Sequence, residues 1–141
     1  MKLMFPLLFV VACAGSQKEV TMQGSDLDIA RVAGEWQGEY KGDDSGRTGQ
    51  VSFSLEVGSH IAEGTVMMGP KPLKIEFVKV SRNEVKGTIA PYTDPQCSCE
   101  VETSFLGTLN DDSIYGTFES RLSSTGQLQA GTWSVQRKPR T

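Results

Sequence analysis

Two cysteines separated by a single serine, Cys97 and Cys99, are the residues best suited to chemistry in this chain. They could form a disulfide, remain as free thiols, or act as a redox-active or metal-binding pair. In an extended strand both side chains point the same way, with Cα atoms about 6.6 Å apart, which is near the upper limit for a bridge. Pro95 just upstream favours a kink that would bring them closer. The spacing therefore favours a structural disulfide over the alternatives.

The other titratable side chains form no catalytic pattern. His60 is the single histidine, and it stands in a Gly-Ser-His sequence typical of a hairpin turn. Paired aspartates at 43–44 and 111–112 also lie among turn-forming residues, which favours solvated acids over a calcium or acid–base site. No nucleophile-elbow, zinc-protease or phosphate-loop motif occurs. We therefore expect no enzyme activity, no metal site and no cofactor.

The first thirteen residues form a pattern of their own. Lys2 supplies a positive charge, residues 3–11 are continuously apolar, and Ala12 and Cys13 follow. A charged start, a short apolar run and small residues before a cleavage point are typical of a secretory signal. The run is too short to cross a bilayer as a helix. Its final cysteine resembles the lipobox of bacterial lipoproteins.

This resemblance implies that cleavage removes residues 1–12 and that Cys13 becomes a diacylglyceryl-modified N-terminus. An ordinary signal peptide with an incidental cysteine is the alternative. The lipoprotein reading implies an extracytoplasmic protein held on a membrane by lipid. Because Ala14 follows the cysteine instead of Asp, it also implies the outer membrane if the source is Gram-negative. Acylation of Cys13 would leave Cys97 and Cys99 as an even pair in an oxidising compartment.

Length and charge limit the remaining possibilities. Cleavage would leave about 129 residues, enough for one domain with its own core. The net charge of the chain is −3, and losing Lys2 would bring it to about −4, a balance that argues against nucleic acid and against a polybasic membrane-binding surface. Residues 13–25 are small and polar and are predicted to form a flexible tether. Residues 26–141 are predicted to form the folded domain.

Beyond a short helical segment, the domain alternates apolar and polar residues with a period of two. Ser25 is a good N-cap for one or two helical turns over residues 25–33. After Gly34 the alternation predicts about eight short strands separated by turn residues. The residues predicted to face inward are Trp36, Gly38 and Tyr40; Val51, Phe53, Leu55 and Val57; Ala62, Gly64, Val66 and Met68; Leu73, Ile75 and Phe77; Val85, Gly87 and Ile89; Cys99, Val101, Thr103 and Phe105; Ile114, Gly116 and Phe118; and Gly131, Trp133 and Val135.

The short connections between these strands predict a meander of neighbouring hairpins. A meander exposes two edges unless it closes, so we expect an all-β, eight-stranded antiparallel up-and-down β-barrel. A Gly-Thr-apolar tripeptide recurs five times in phase, with its glycine and apolar residue on the inward face. Inward glycines remove bulk where a small barrel curves sharply, which supports closure.

Gly34 and Trp36 open the first of these strands, and Arg137 ends the last. A G-x-W in the first strand, before an eight-stranded meander, resembles the calycin group, which includes the lipocalins. The resemblance implies that Trp36 packs at one end of the barrel and that Arg137 covers it by a cation–π contact. These three residues would close the barrel and would not identify a ligand.

Two non-enzymatic functions fit such a domain. In the first, the barrel holds a small apolar ligand, with Tyr40, Met68 and Tyr92 as candidate lining residues and the Pro91–Gln96 loop near the mouth. In the second, a filled barrel meets an envelope protein or a protease through its loops or outer wall. The number of inward aromatic residues favours a filled interior. A continuous cavity would favour the ligand, and an exposed apolar loop patch would favour a protein partner.

Overall fold

The computed structural model describes residues 18–139 and contains one short helix and nine strands in that range. Their bounds are β1 Glu19–Gln23, α1 Asp26–Ala30, β2 Gly34–Gly42, β3 Thr48–Leu55, β4 Ile61–Met68, β5 Lys71–Ser81, β6 Glu84–Asp94, β7 Cys99–Asn110, β8 Ser113–Leu122 and β9 Leu128–Arg137. The helix lies where it was predicted, and the Ser25 hydroxyl caps it by accepting a hydrogen bond from the Asp28 amide at 3.1 Å.

Strands β2 to β9 form the wall of a closed barrel. Each of these strands is antiparallel to the next along the chain. β2 and β9 pair through seven pairs of facing residues, from Trp36–Arg137 to Gly42–Gly131. The predicted all-β closed barrel is therefore confirmed, and its eight predicted strands correspond to β2–β9. Closure leaves no exposed strand edge around the wall, which is the physical reason that a meander of this length closes.

The prediction of eight antiparallel strands was wrong by one strand. β1 inserts between β4 and β5, antiparallel to β4 and parallel to β5. Val20 and Met22 on this strand are 0% and 3% exposed, whereas Glu19, Thr21 and Gln23 are exposed. The predicted tether is thus a wall strand at residues 19–23, because two buried apolar side chains fix it in the core. Residues 13–17 of that prediction, like Cys13 and the signal segment, lie outside the described residues.

A β-bulge in β5 changes which side chains of that strand face the core. The register with β6 shifts between Ile75 and Phe77. An extra residue at a bulge reverses the alternation beyond it, so Val78 and Val80 are buried while Phe77 is only half-buried. The prediction that Phe77 faces inward was wrong for this reason.

The barrel has two different ends. The end that we call the base comprises residues 24–33 and the connections at 56–60, 82–83 and 111–112. The end that we call the mouth comprises the connections at 43–47, 69–70, 95–98 and 123–127. Strand β2 runs from the base to the mouth, and each of β3–β9 runs in the direction opposite to that of the strand before it.

Packing around Trp36 closes the base. This side chain is 1% exposed, and its Nε1 donates a hydrogen bond to the Val32 carbonyl at 3.0 Å. The Arg137 guanidinium lies over the indole at 4.4 Å from the ring centroid, and its Nη1 donates to Asp112 Oδ1 at 2.7 Å. Gly34 has φ +121°, which disfavours any other residue, and a Cβ there would contact the Arg137 side chain. The segment that follows α1, the start of β2 and the end of β9 are thereby joined at the base.

Candidate functional site

A cavity of about 370 Å³ occupies the interior of the barrel above the base. Most of its wall is apolar. The expectation of a filled interior was therefore wrong.

Phe53 is only half-buried, like Ser54, but Phe53 lines the cavity whereas Ser54 does not. The apolar lining residues are Val32, Val51, Phe53, Val66, Met68, Leu73, Ile75, Val78, Val85, Ile89, Phe105, Ile114, Phe118, Ala130, Trp133 and Val135.

The aromatic side chains leave this space open because several of them lie against inward-facing glycines. At each such glycine, an aromatic ring occupies the position that a Cβ atom would take. The rings therefore lie along the wall instead of projecting toward the barrel axis. In a sheet, an aromatic side chain that covers a glycine in this way stabilises the strand pairing there. The ring–glycine pairs are Tyr40 with Gly49, Phe105 with Gly87, Phe118 with Gly131 and Trp133 with Gly107.

These rings also contact one another across an intervening strand. Tyr40 meets Phe118, and Phe105 meets Trp133, both edge to face with ring centroids 5.7 Å apart. Such pairs stabilise by about 0.5–1.5 kcal/mol beyond the area they bury. The cavity wall is therefore a set of mutually fixed rings, so the space is largely preformed.

A charged pair stands at the mouth end of the cavity. Arg47, in the connection between β2 and β3, donates from Nη1 to Asp94 Oδ2 at 2.9 Å and from Nη2 to Asp94 Oδ1 at 3.3 Å. The Arg47 side chain is 28% exposed and that of Asp94 8%. Arg47 lines the cavity, and its Nη1 also lies 4.0 Å from Met68 Sδ. The pair links the connection between β2 and β3 to the mouth end of β6.

This pairing determines the protonation states at the mouth. Burial raises the pKa of Asp94, but the hydrogen bonds from Arg47 and from the Gln96 amide outweigh it and hold the pKa below its ordinary value. The same hydrogen bond raises the pKa of the Arg47 guanidinium. Burial raises the pKa of the Tyr40 and Tyr92 hydroxyls. At neutral pH the mouth therefore holds one ion pair beside neutral phenols.

Hydroxyl groups form much of the remaining polar part of the cavity wall. Thr103 Oγ1 and Ser120 Oγ are 2.7 Å apart. Both act to lower the pKa of the Tyr92 hydroxyl against the larger effect of burial, and all three residues line the cavity. Tyr40 lines it as well, close enough to Arg47 and Tyr92 for their charges to affect its pKa. The cavity is thus apolar over most of its wall and polar near the mouth.

The two cysteines lie in the turn that follows Asp94. Their sulfur atoms are within disulfide-bonding distance, and their Cα atoms are 5.1 Å apart. Ser98 between them has φ +53°, a left-handed conformation that bends the chain and brings the Cα atoms closer than in a strand. The Ser98 amide donates to the Asp94 carbonyl at 2.8 Å. The turn that brings Cys97 and Cys99 together is therefore also hydrogen-bonded to the backbone of Asp94.

The three residues predicted to line a ligand site, Tyr40, Met68 and Tyr92, all lie on the cavity. Sequence analysis did not single out Arg47 or Ser120 as site residues. Ser120 could have been found by continuing the inward alternation of β8 two residues beyond Phe118. Arg47 lies in a turn without alternation, so its sequence gave no such signal.

Of the other residues considered for chemistry, Asp44 lies at the rim of the cavity, whereas His60 and the aspartates at 111–112 lie away from its wall. His60 Nε2 is 2.7 Å from Asp26 Oδ1 at the exposed base. Asp111 and Asp112 are exposed, and Asp112 binds Arg137. Within residues 18–139, no group of three or more histidine, cysteine or acidic side chains is arranged to hold a metal ion.

Comparisons with known proteins do not extend this description. The chain matches no model of a known protein family and no curated protein. None of the helices in the described part of the chain has the length and apolar character needed to cross a membrane.

Proposed function

We propose that this protein binds a small, largely apolar molecule inside its barrel and catalyses no reaction. The observation that carries the proposal is the cavity of about 370 Å³ with a mostly apolar wall. Pockets for small molecules are generally of this size and combine an apolar lining with a few polar groups. The polar residues at the mouth end, Arg47, Tyr92 and Thr103 among them, supply that second feature.

The cavity volume limits the size of the ligand. An apolar cavity of about 150 Å³ holds benzene, so the larger space here suits a molecule with on the order of fifteen non-hydrogen atoms. A filled barrel that works only through its outer surface would have no such space. The cavity therefore favours the ligand over a purely protein–protein role.

The wider setting of the proposal comes from the two sequence resemblances. The contact of Arg137 with Trp36 beside Gly34 supports a relation to the calycin group, although β1 is an additional wall strand. The signal-like segment that ends at Cys13 supports export and attachment to a membrane by lipid. We propose a lipid-anchored, extracytoplasmic binding protein, on the outer membrane if the source is Gram-negative.

Filling the cavity tests the proposed binding. Val51 lines the cavity from β3, and its neighbour Gln50 is exposed on the outer face. We expect the neutral fluorescent probe N-phenylnaphthylamine to bind the purified full chain saturably. Val51→Phe should weaken that binding by at least about tenfold, because the new ring occupies ligand space. Gln50→Phe, which adds the same ring outside, should leave it unchanged.

Equal weakening by both variants, or no saturable binding to the wild-type chain, would contradict the proposal. Native mass spectrometry of protein purified from its own envelope provides an independent measurement. A co-purifying small molecule that is absent from Val51→Phe supports binding in the cavity.

A further inference from the structure

The charge at the mouth end of the cavity is already compensated within the protein. Arg47 is the cationic side chain on the cavity wall, and both of its terminal nitrogens donate to Asp94. Asp94 is held in turn by the Gln96 amide, which donates to its Oδ1 at 2.9 Å. The exposed carboxylate of Asp44 at the rim adds a second negative charge.

We infer that the cavity selects neutral amphiphiles, with a hydroxyl or carbonyl group at one end, over the corresponding carboxylates. This inference rests on the proposed function and names its ligand class. The apolar part of the molecule would lie toward the base, among side chains such as Ile114 and Val135. The polar end would lie near Arg47 and the hydroxyl groups of the mouth.

A carboxylate at this position would meet an unfavourable environment. It could approach Arg47 only beside the carboxylate of Asp94, and like charges in contact oppose binding strongly. It could instead displace Asp94 from Arg47. That exchange would leave a carboxylate that is only 8% exposed without its cation, which is a large penalty for a buried charge.

A neutral polar group avoids both penalties. The hydroxyls of Tyr92, Thr103 and Ser120 line the same end of the cavity, and each can donate or accept a hydrogen bond. A ligand hydroxyl or carbonyl can join this group without disturbing the Arg47–Asp94 pair. The mouth end of the cavity therefore offers hydrogen-bond donors and acceptors to a ligand but no uncompensated positive charge.

Two ligands of equal chain length test the inference, decanol and decanoate. Near neutral pH the acid is ionised and the alcohol is not. Each is titrated against N-phenylnaphthylamine bound to the full chain, and intrinsic fluorescence is followed as well because Trp133 lines the cavity. We expect decanol to bind at least about tenfold more tightly than decanoate.

Asp94→Asn provides the decisive variant, because it removes the charge that compensates Arg47 and keeps an acceptor for the Gln96 amide. Decanoate should then bind at least about tenfold more tightly than to the wild-type chain, while decanol binding changes little. Glu102→Gln is the matched control, since it removes one exposed carboxylate on the outside of β7. It should alter neither affinity.

If Asp94→Asn fails to fold, as judged by circular dichroism, Arg47→Gln and the wild-type preference keep the inference testable. Arg47→Gln should weaken decanoate binding further. Tighter binding of decanoate than of decanol to the wild-type chain, or a preference unaffected by Asp94→Asn, would overturn the inference and leave the binding proposal intact. If the probe itself does not bind, the proposed function fails as well.

Discussion

At the mouth of the barrel, the Arg47–Asp94 pair connects a turn to the end of β6, a strand that is distant in sequence. Its two parallel hydrogen bonds fix the Arg47 fork, and the Gln96 and Ser98 amides fix the other side of the contact. Hydrogen bonds to a charged partner contribute about 1.5–3 kcal/mol each when their geometry is good. Since Arg47 is partly exposed, solvent reduces the contribution of the pair toward the lower part of that range.

This pair predicts a pH dependence of stability at the residue scale. The pKa of Asp94 is lower in the folded state than in the unfolded chain. Its carboxylate therefore stabilises the fold above the unfolded pKa, and the contribution disappears as pH falls through the folded pKa. We expect Asp94→Asn to reduce the free energy of unfolding by about 1–2 kcal/mol at pH 7, measured by urea denaturation.

The difference between Asp94→Asn and the wild-type chain should become small in acid, once the pH has fallen below the folded pKa of Asp94. Asp44→Asn is the control, because Asp44 is exposed in the same loop as Arg47. It should leave stability nearly unchanged at both pH values. A destabilisation by Asp94→Asn that persists fully in acid would contradict the role assigned to the ion pair.

Among the secondary-structure elements, β1 differs most from its surroundings. It makes three registered pairs with β4 and three with β5, and directly above it β4 and β5 pair with each other from Thr65–Lys74 to Met68–Lys71. Without β1, the lower parts of β4 and β5 would expose unpaired backbone groups. This strand therefore completes the wall near the base.

Replacing Met22 tests the role of β1. Met22 is 3% exposed, and truncating a buried methionine to alanine removes apolar contacts and leaves a cavity. We expect Met22→Ala to lower the free energy of unfolding by about 2–3 kcal/mol. Thr21→Ala, on the exposed face of the same strand, should change it by less than about 0.5 kcal/mol. Equal effects of the two variants in urea denaturation would show that β1 does not belong to the core.

Sequence reasoning succeeded where an element was long enough for alternation to be evident. β3 and β8 each carry several alternating apolar residues, so their inward faces could be predicted. β1 presents only Val20 and Met22 within a polar stretch, which is too little to distinguish a strand from a tether. The bulge after Ile75 could not be predicted, because it depends on pairing with β6 and not on the local pattern.

For the whole molecule, the unexpected result is that so many aromatic residues coexist with a hollow interior. Counting their volumes predicts a filled barrel, because sequence alone does not show which way a ring lies. The registered neighbours decide this, since Phe118 lies opposite Gly131 and Gly116 lies opposite Trp133. The closed topology was predictable from strand number and short connections. The cavity was not, because it depends on these cross-strand contacts.

The proposed lipid attachment leads to a prediction for the whole molecule in cells. In a bacterial host, Cys13→Ser should move the protein from the membrane fraction to the soluble extracytoplasmic fraction, since one modified cysteine provides the anchor. Cys97→Ser should remain with the membrane, which controls for loss of a cysteine. Incorporation of labelled palmitate should be lost in Cys13→Ser alone. An unchanged distribution of Cys13→Ser would contradict lipid attachment at this residue.

If Cys13 carries the proposed lipid, the position of β1 also limits how far the barrel can stand from a bilayer. Five Cα–Cα steps separate Cys13 from Lys18, and a fully extended chain covers at most about 18 Å over that distance. β1 enters the wall beside Glu63, two residues from the base end of β4, and runs toward the base. A lipid on Cys13 would thus hold the barrel close to the headgroups. A hydrophobic guest would then have only a short distance to travel between bilayer and lumen.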